Sequence, residues 1–207
     1  MNSLEHIEEK VKEIKRSFRL LMNGVASHSM REKGLDYHLN WGVSFIYLKK
    51  MAAEYDKDLH LAIALWKENI RECKILATLL MPPEEMTSDL AELWMEQTDS
   101  QEIAEMLAFN LLQYVDEAPE WAFKWIASGE TYHQITGYAI LSRLLMSGQT
   151  PDVRGINELI DQALTALDEE AMPVRHAAYT CLQRLSQVDD TFLSIVNAAV
   201  KQKGLIF

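Results

Sequence analysis

Asp58-Leu59-His60-Leu61-Ala62-Ile63-Ala64-Leu65-Trp66, followed after a short gap by Ile70-Arg71-Glu72-Cys73-Lys74-Ile75-Leu76-Ala77, is one helix following another. In the first run, Leu59, Ala62, Ile63, Leu65 and Trp66 recur at the 3.6-residue spacing of a buried helical stripe, and Asp58 stands where a capping side chain belongs. In the second, Ile70, Cys73, Leu76, Ala77 and Leu80 repeat the pattern after a weak break at Asn69-Ile70. Met81-Pro82-Pro83 then ends the helical pattern, because consecutive prolines cannot continue it.

Working outward, the same periodicity fills the chain. Leu4, Ile7, Val11, Ile14, Phe18 and Leu21 mark a charged amphipathic helix that stops at Gly24. Ser27 to Lys33 reads as a short polar helix and Gly34 to Asn40 as a connector, and a further helix is expected to begin at Trp41-Gly42-Val43-Ser44. Beyond the prolines, Ser88 to Glu96 is a short helix and Asp99 to Val115 a long one. Pro119 sits in the first turn of a helix that ends at Gly129, and Thr131 can cap the next, which runs to Met146. Thr150-Pro151 and Met172-Pro173 have the same helix-opening form, and a last helix covers roughly Thr191 to Lys201. No stretch alternates with period two, so the chain reads as all-α. Residues 41–81, 88–128, 131–168 and 172–202 each resemble a helix–turn–helix unit, the longer ones close to the ~40–47 residues of HEAT or armadillo repeats. Such units stack into a superhelical solenoid, here one domain over 1–207 with residues 1–40 as N-terminal capping helices. A plain helical bundle is the competing architecture.

The chain has 207 residues, enough for one large core or one repeat array. No apolar run approaches the ~20 residues that span a bilayer, and the N-terminus lacks the basic-then-apolar layout of a secretory signal, so a cytoplasmic protein is expected with no membrane partner. Cys73 and Cys181 each fall on an apolar stripe and are expected to be buried free thiols. The six histidines show no metal-ligand spacing, and there is no Gly-rich phosphate loop or nucleophile elbow.

Net charge is −11 and unevenly placed. Residues 1–50 carry nine Lys and Arg against six Asp and Glu, whereas residues 82–130 carry one against twelve. Duplex binding draws on phosphate neutralisation, so the acidic segment speaks against simple DNA binding. The basic run Lys10-Val11-Lys12-Glu13-Ile14-Lys15-Arg16, with Arg19, Arg31 and Lys33, is the best candidate for phosphate contact and otherwise a solvated face.

The two runs quoted first resemble the family of HEAT-like DNA alkylation repair glycosylases. Leu39-Asn40-Trp41-Gly42-Val43 is similar to that family's lead-in to its first repeat, Lys124-Trp125-Ile126-Ala127-Ser128 to the helix before its DNA-contacting repeat, and Pro173-Val174-Arg175-His176-Ala177-Ala178 to its last repeat. The resemblance covers roughly residues 35–187. It implies excision of cationic alkylated purines from duplex DNA with no metal or organic cofactor. A carboxylate would stabilise positive charge building on the sugar, aromatic faces would hold the cationic base, and basic side chains the phosphates.

Carried over residue by residue, the family's Trp-Asp-x-x-Asp pattern falls on Thr98-Asp99-Ser100-Gln101-Glu102. The aromatic is replaced by Thr98, and the carboxylate is Glu102, one methylene longer. The family's phosphate-binding arginine aligns with Ile135 after Gln134, and its second pocket tryptophan near Tyr179-Thr180. The resemblance therefore nominates Glu102 as catalytic carboxylate, Trp94, Asp99, Trp125 and Tyr179 as substrate-binding residues, and Lys33, Lys124 and Arg175 as phosphate contacts. Beside each stands a structural reading. Asp99 and Glu102 form a capping pair for the helix that follows, and Trp94, Trp121 and Trp125 are packing residues. A family member with lost or altered glycosylase activity fits these replacements. The alternatives are an active glycosylase for cationic alkylated purines, and a non-catalytic repeat scaffold that binds a protein or peptide on its concave face.

Overall fold

The protein is described by a computed structural model that covers residues 3–35 and 37–207. Met1-Asn2 of the N-terminal reading, the Leu4 side chain and Asp36 in the connector lie outside the described residues. Twelve α-helices follow one another among the described residues: α1 Ser3–Leu21, α2 Gly24–Glu32, α3 Phe45–Ala52, α4 Leu59–Lys67, α5 Arg71–Leu80 and α6 Ser88–Glu96. Then come α7 Gln101–Asn110, α8 Ala118–Ile126, α9 Thr131–Met146, α10 Val153–Ala166, α11 Met172–Ser186 and α12 Asp190–Val200. The one extended pairing described is an isolated parallel bridge between Leu39 and Ile70.

Local chemistry sets most of these bounds. The Asp58 carboxylate accepts from the Leu61 N–H at 3.0 Å and opens α4. Pro119 and Pro173 occupy the first turns of α8 and α11, where their missing N–H costs nothing. Met81 and Pro82 are extended, so α5 stops at Leu80. Elsewhere the boundaries differ from those the sequence suggests. Trp41 to Ser44 is non-helical and α3 starts only at Phe45. Gly24 does not merely end α1 but begins α2, capped by Asn23. The expected long helix from Asp99 to Val115 is α7 alone, closed at Leu111 and followed by a 3-10 turn over Leu112–Tyr114. Glu130 rather than Thr131 precedes α9, with no side-chain cap. α10 opens not at Thr150-Pro151 but after Asp152, which accepts from the Gly155 N–H at 2.8 Å. The first two repeat segments hold three helices each rather than two: α3, α4 and α5, then α6, α7 and α8.

The chain divides into two compact units, Met1–Trp94 and Met95–Phe207. In the first, α1 packs on α4, α4 on α5, and α3 on α5. Ile7, Val11, Ile14 and Phe18 form the buried stripe of α1, and α5 is buried on every side from Arg71 to Thr78. In the second unit α9 is the hub, packed against α7, α8 and α11, while α10 and α12 pack on α11. Close approach to α8 requires Gly137, where an added Cβ would lie 2.8 Å from the Ala122 carbonyl oxygen. Each fully buried Leu or Ile in these cores contributes ~1.5–3 kcal/mol of transfer free energy.

Candidate functional site

The Thr98–Glu102 stretch is built as a helix start. The Thr98 N–H donates to the Met95 carbonyl at 3.0 Å, and Thr98 is buried. Ser100 is extended, and its hydroxyl accepts from the Ile103 N–H at 3.3 Å. The capping residue is therefore Ser100, not Asp99, because Ser100 is the residue whose backbone turns into the helix. Asp99 is exposed. Glu102, half-buried, is the second residue of α7, where the helix's positive end favours a carboxylate. On the same turn Gln101 donates to Glu105 at 2.8 Å.

The aromatic candidates are deep in packing. Trp94 is 2% exposed and lies face to face with Trp66, ring centroids 4.2 Å apart and planes 1° from parallel. The ammonium of buried Lys74 stands 5.4 Å from the Trp66 ring, a cation–π geometry. Trp125, 1% exposed, is tilted against Trp121 at 6.2 Å and edge-on to His133 at 6.0 Å. Tyr179 packs on Phe207 at 4.9 Å. Ile135, where the resemblance expects an arginine, is a core residue at 1% exposure beside buried Gln134.

Among the basic candidates, Lys33 and Lys124 are exposed. Arg175 is half-buried and donates to the Glu169 and Glu170 carbonyls at 2.6 and 3.1 Å. Arg175 and Tyr179, nominated separately, line one cavity of about 430 Å³ with His176, Lys203, Asp168 and Leu205; there Lys203 pairs with Asp168. A second cavity, of about 260 Å³, is apolar, with Pro119, Phe123, Leu141, Leu144 and Pro151 around Glu120. Among the described residues no group of three or more His, Cys, Asp or Glu side chains is placed to hold a metal ion. Both cysteines are free and buried. Burial pushes both thiols up, Cys181 to about 12 against the opposing effect of a Ser142 hydrogen bond, so neither is a ready nucleophile.

A cluster that the sequence analysis did not single out lies in the first unit. Glu72, with no exposed surface, accepts the Trp41 N–H on both carboxylate oxygens at 3.1 and 3.2 Å, and the Val43 N–H at 3.2 Å. Arg71, 3% exposed, donates from one nitrogen to Glu72 at 3.1 Å and to the Val43 carbonyl at 2.9 Å, and its own N–H meets the Leu39 carbonyl. The loop so held grips the corner between α1 and α2. The Asn23 N–H donates to the Trp41 carbonyl at 2.9 Å, and the Ser27 hydroxyl to the Asn40 carbonyl at 2.9 Å. Gly42 has φ +70°, and a Cβ there would sit 2.2 Å from the Asn23 carbonyl oxygen, so only glycine fits. The signal that could have revealed this cluster is Arg71-Glu72 set between Ile70 and Cys73: two adjacent charges inside an apolar run must find partners.

Comparison with known proteins follows the same lines. A solved structure described as "a new family of proteins related to the HEAT-like repeat DNA glycosylases with affinity for branched DNA structures" matches with a TM-score of 0.83 at 17% identity. That match covers 94% of this chain and 83% of the other and gives the fold as an all-helical, HEAT-like repeat. No curated protein matches the chain. The family profile for DNA alkylation repair enzymes matches residues 9–202, and the chain belongs to that family.

Proposed function

We propose that this protein binds DNA by shape, branched DNA in particular, and does not excise alkylated bases. The observation that carries the reading is the packing of Trp94. A cationic base needs a flat aromatic face open to it. Thr98 stands at the family's aromatic position, and Trp94, the nearest substitute in sequence, is stacked on Trp66 at 4.2 Å and 2% exposed. A carboxylate at Glu102 could stabilise positive charge on a sugar, but only for a base held in place beside it. The structural relative, described as having affinity for branched DNA structures, suggests the alternative role. A cytoplasmic location fits this reading; among the described residues no helix is long and apolar enough to cross a membrane.

Two measurements on one preparation test the reading. Incubation with DNA carrying N7-methylguanine or N3-methyladenine should release no base above the rate without protein. Binding to a four-way junction should exceed binding to a linear duplex of the same length and weaken steeply with added salt. Release of methylated base that Glu102→Gln abolishes would overturn the proposal in favour of an active glycosylase. The acidic 82–130 segment and the apolar cavity around Phe123 favour a second reading, a basic peptide with an apolar anchor as ligand. Salt-insensitive DNA binding, or none, would point there.

A further inference from the structure

The corner where α1 meets α2 exposes three large apolar side chains within six residues. Leu20 is 87% exposed, Met22 56% and Val25 82%. Single exposed apolar residues are ordinary, but such a cluster on a stiff corner is not. The corner is stiff because it is braced from behind. Asn23 caps α2 by accepting the Ala26 N–H at 3.0 Å, and its own N–H is tied to Trp41, whose N–H is in turn held by buried Glu72. The Arg19 guanidinium lies 5.7 Å from the Trp41 ring centroid. Along the chain the segment that carries the tip is basic: residues 14–31 contain Lys15, Arg16, Arg19 and Arg31 and no acidic residue, with Glu13 and Glu32 just outside it and Glu32 set against His28 at 3.2 Å. Lys15 is neutralised by Glu68 at 2.5 Å and Arg16 approaches Glu9 at 3.8 Å, but Arg19 and Arg31 have no carboxylate partner among the described residues.

Resting on the DNA-binding reading above, we propose that this corner is a wedge for DNA branch points. Leu20, Met22 and Val25 press against the base stack exposed where strands part, while Arg19 and Arg31 meet the flanking phosphates. An opened stack offers an apolar face rimmed by negative charge, the complement of an apolar tip rimmed by arginines. A continuous duplex offers no such face, so the wedge would confer preference for branches over linear DNA. An anionic membrane also pairs apolar and negative surfaces. It is disfavoured because the apolar face of α1, Ile7, Val11, Ile14 and Phe18, is buried in the protein and cannot lie in a bilayer.

The test uses the full chain, a synthetic four-way junction with 2-aminopurine beside the branch, a linear duplex of equal length, and equimolar phosphatidylserine–phosphatidylcholine vesicles. The wild type should raise 2-aminopurine fluorescence on binding. The triple variant Leu20→Ser, Met22→Ser, Val25→Ser, all at exposed positions, should keep its melting temperature, lose about tenfold or more in junction affinity and abolish the fluorescence rise, with duplex affinity changed by less than about twofold. Arg19→Ala with Arg31→Ala should weaken junction and duplex alike and flatten the salt dependence. Junction binding undiminished in the triple variant would overturn the wedge and leave the DNA-binding reading standing. No salt-sensitive DNA binding by the wild type would sink both. Vesicle binding by the wild type that the triple variant loses, with junction affinity intact, would reassign the corner to membranes and overturn the proposal.

Discussion

Among the described residues two α-helices carry a glutamate as their second residue, Glu72 in α5 and Glu102 in α7. Both sit at the positive end of a helix, yet they have different fates. Glu102 stays half-buried at a helix start that Ser100 already caps. Glu72 begins a helix whose preceding residue, Ile70, offers no capping side chain; it is wholly buried and spends its carboxylate on the backbone of a loop about thirty residues earlier. A carboxylate buried at such cost must be paired and hydrogen-bonded. The acid that the family resemblance draws attention to thus stands at a helix start, and the acid that ties down the 41–43 loop is the inconspicuous one.

The largest expected effect breaks the deeper site. Glu72→Ala leaves Arg71 short of a buried partner and two loop N–H groups unsatisfied, and should destabilise the protein by ~3–5 kcal/mol in urea unfolding. A loss below ~1 kcal/mol would mean that the loop 41–43 is not held by this carboxylate. Gly42→Ala attacks the same assembly from the loop side. Its positive φ and the Asn23 carbonyl leave no room for Cβ, so a loss of ~2–3 kcal/mol is expected. Cys73 reports on both: buried next to Glu72, its thiol should resist a thiol reagent in the wild type and react ~tenfold faster or more in Glu72→Gln, as α5 opens locally. On the other helix, Ser100→Ala should cost ~1 kcal/mol as a lost cap. Glu102→Gln should shift stability by no more than ~0.5 kcal/mol and leave Cys73 labelling unchanged. If Glu102→Gln proved as damaging as Glu72→Ala, the contrast between the two acids would fail.

The helices were legible because their signals are local. Asp58 caps α4, prolines open α8 and α11, and the 3.6-residue stripe of α1 is buried from Ile7 to Phe18, though not at Leu21. What was not legible depends on partners far along the chain. Trp41-Gly42-Val43-Ser44 reads as a helix start from its apolar spacing, but Glu72 claims the N–H groups of Trp41 and Val43, and Gly42 turns through a positive φ, so the segment is not helical. Asp99 outranks Ser100 as a cap on paper only if the helix begins one residue earlier, and backbone dihedrals, not composition, fix that choice. At the candidate site, that Thr98 stands where the resemblance expects an aromatic was readable, whereas the stacking of Trp94 on Trp66 was not. Nothing in a tryptophan's sequence position says which face it presents.

The grip of Glu72 on Trp41 also has a consequence for how the protein is made. The two residues lie 31 positions apart, so at ~5–20 residues per second the ribosome needs roughly two to six seconds to deliver the second after the first. Throughout that interval the corner of α1 and α2 has no Arg71-Glu72 to brace it, and Leu20, Met22 and Val25 stand on an unanchored nascent chain. This segment, synthesised before its lock, must wait for it, and a pause in translation between codons 43 and 72 would lengthen the window in which it is open to chaperones and proteases.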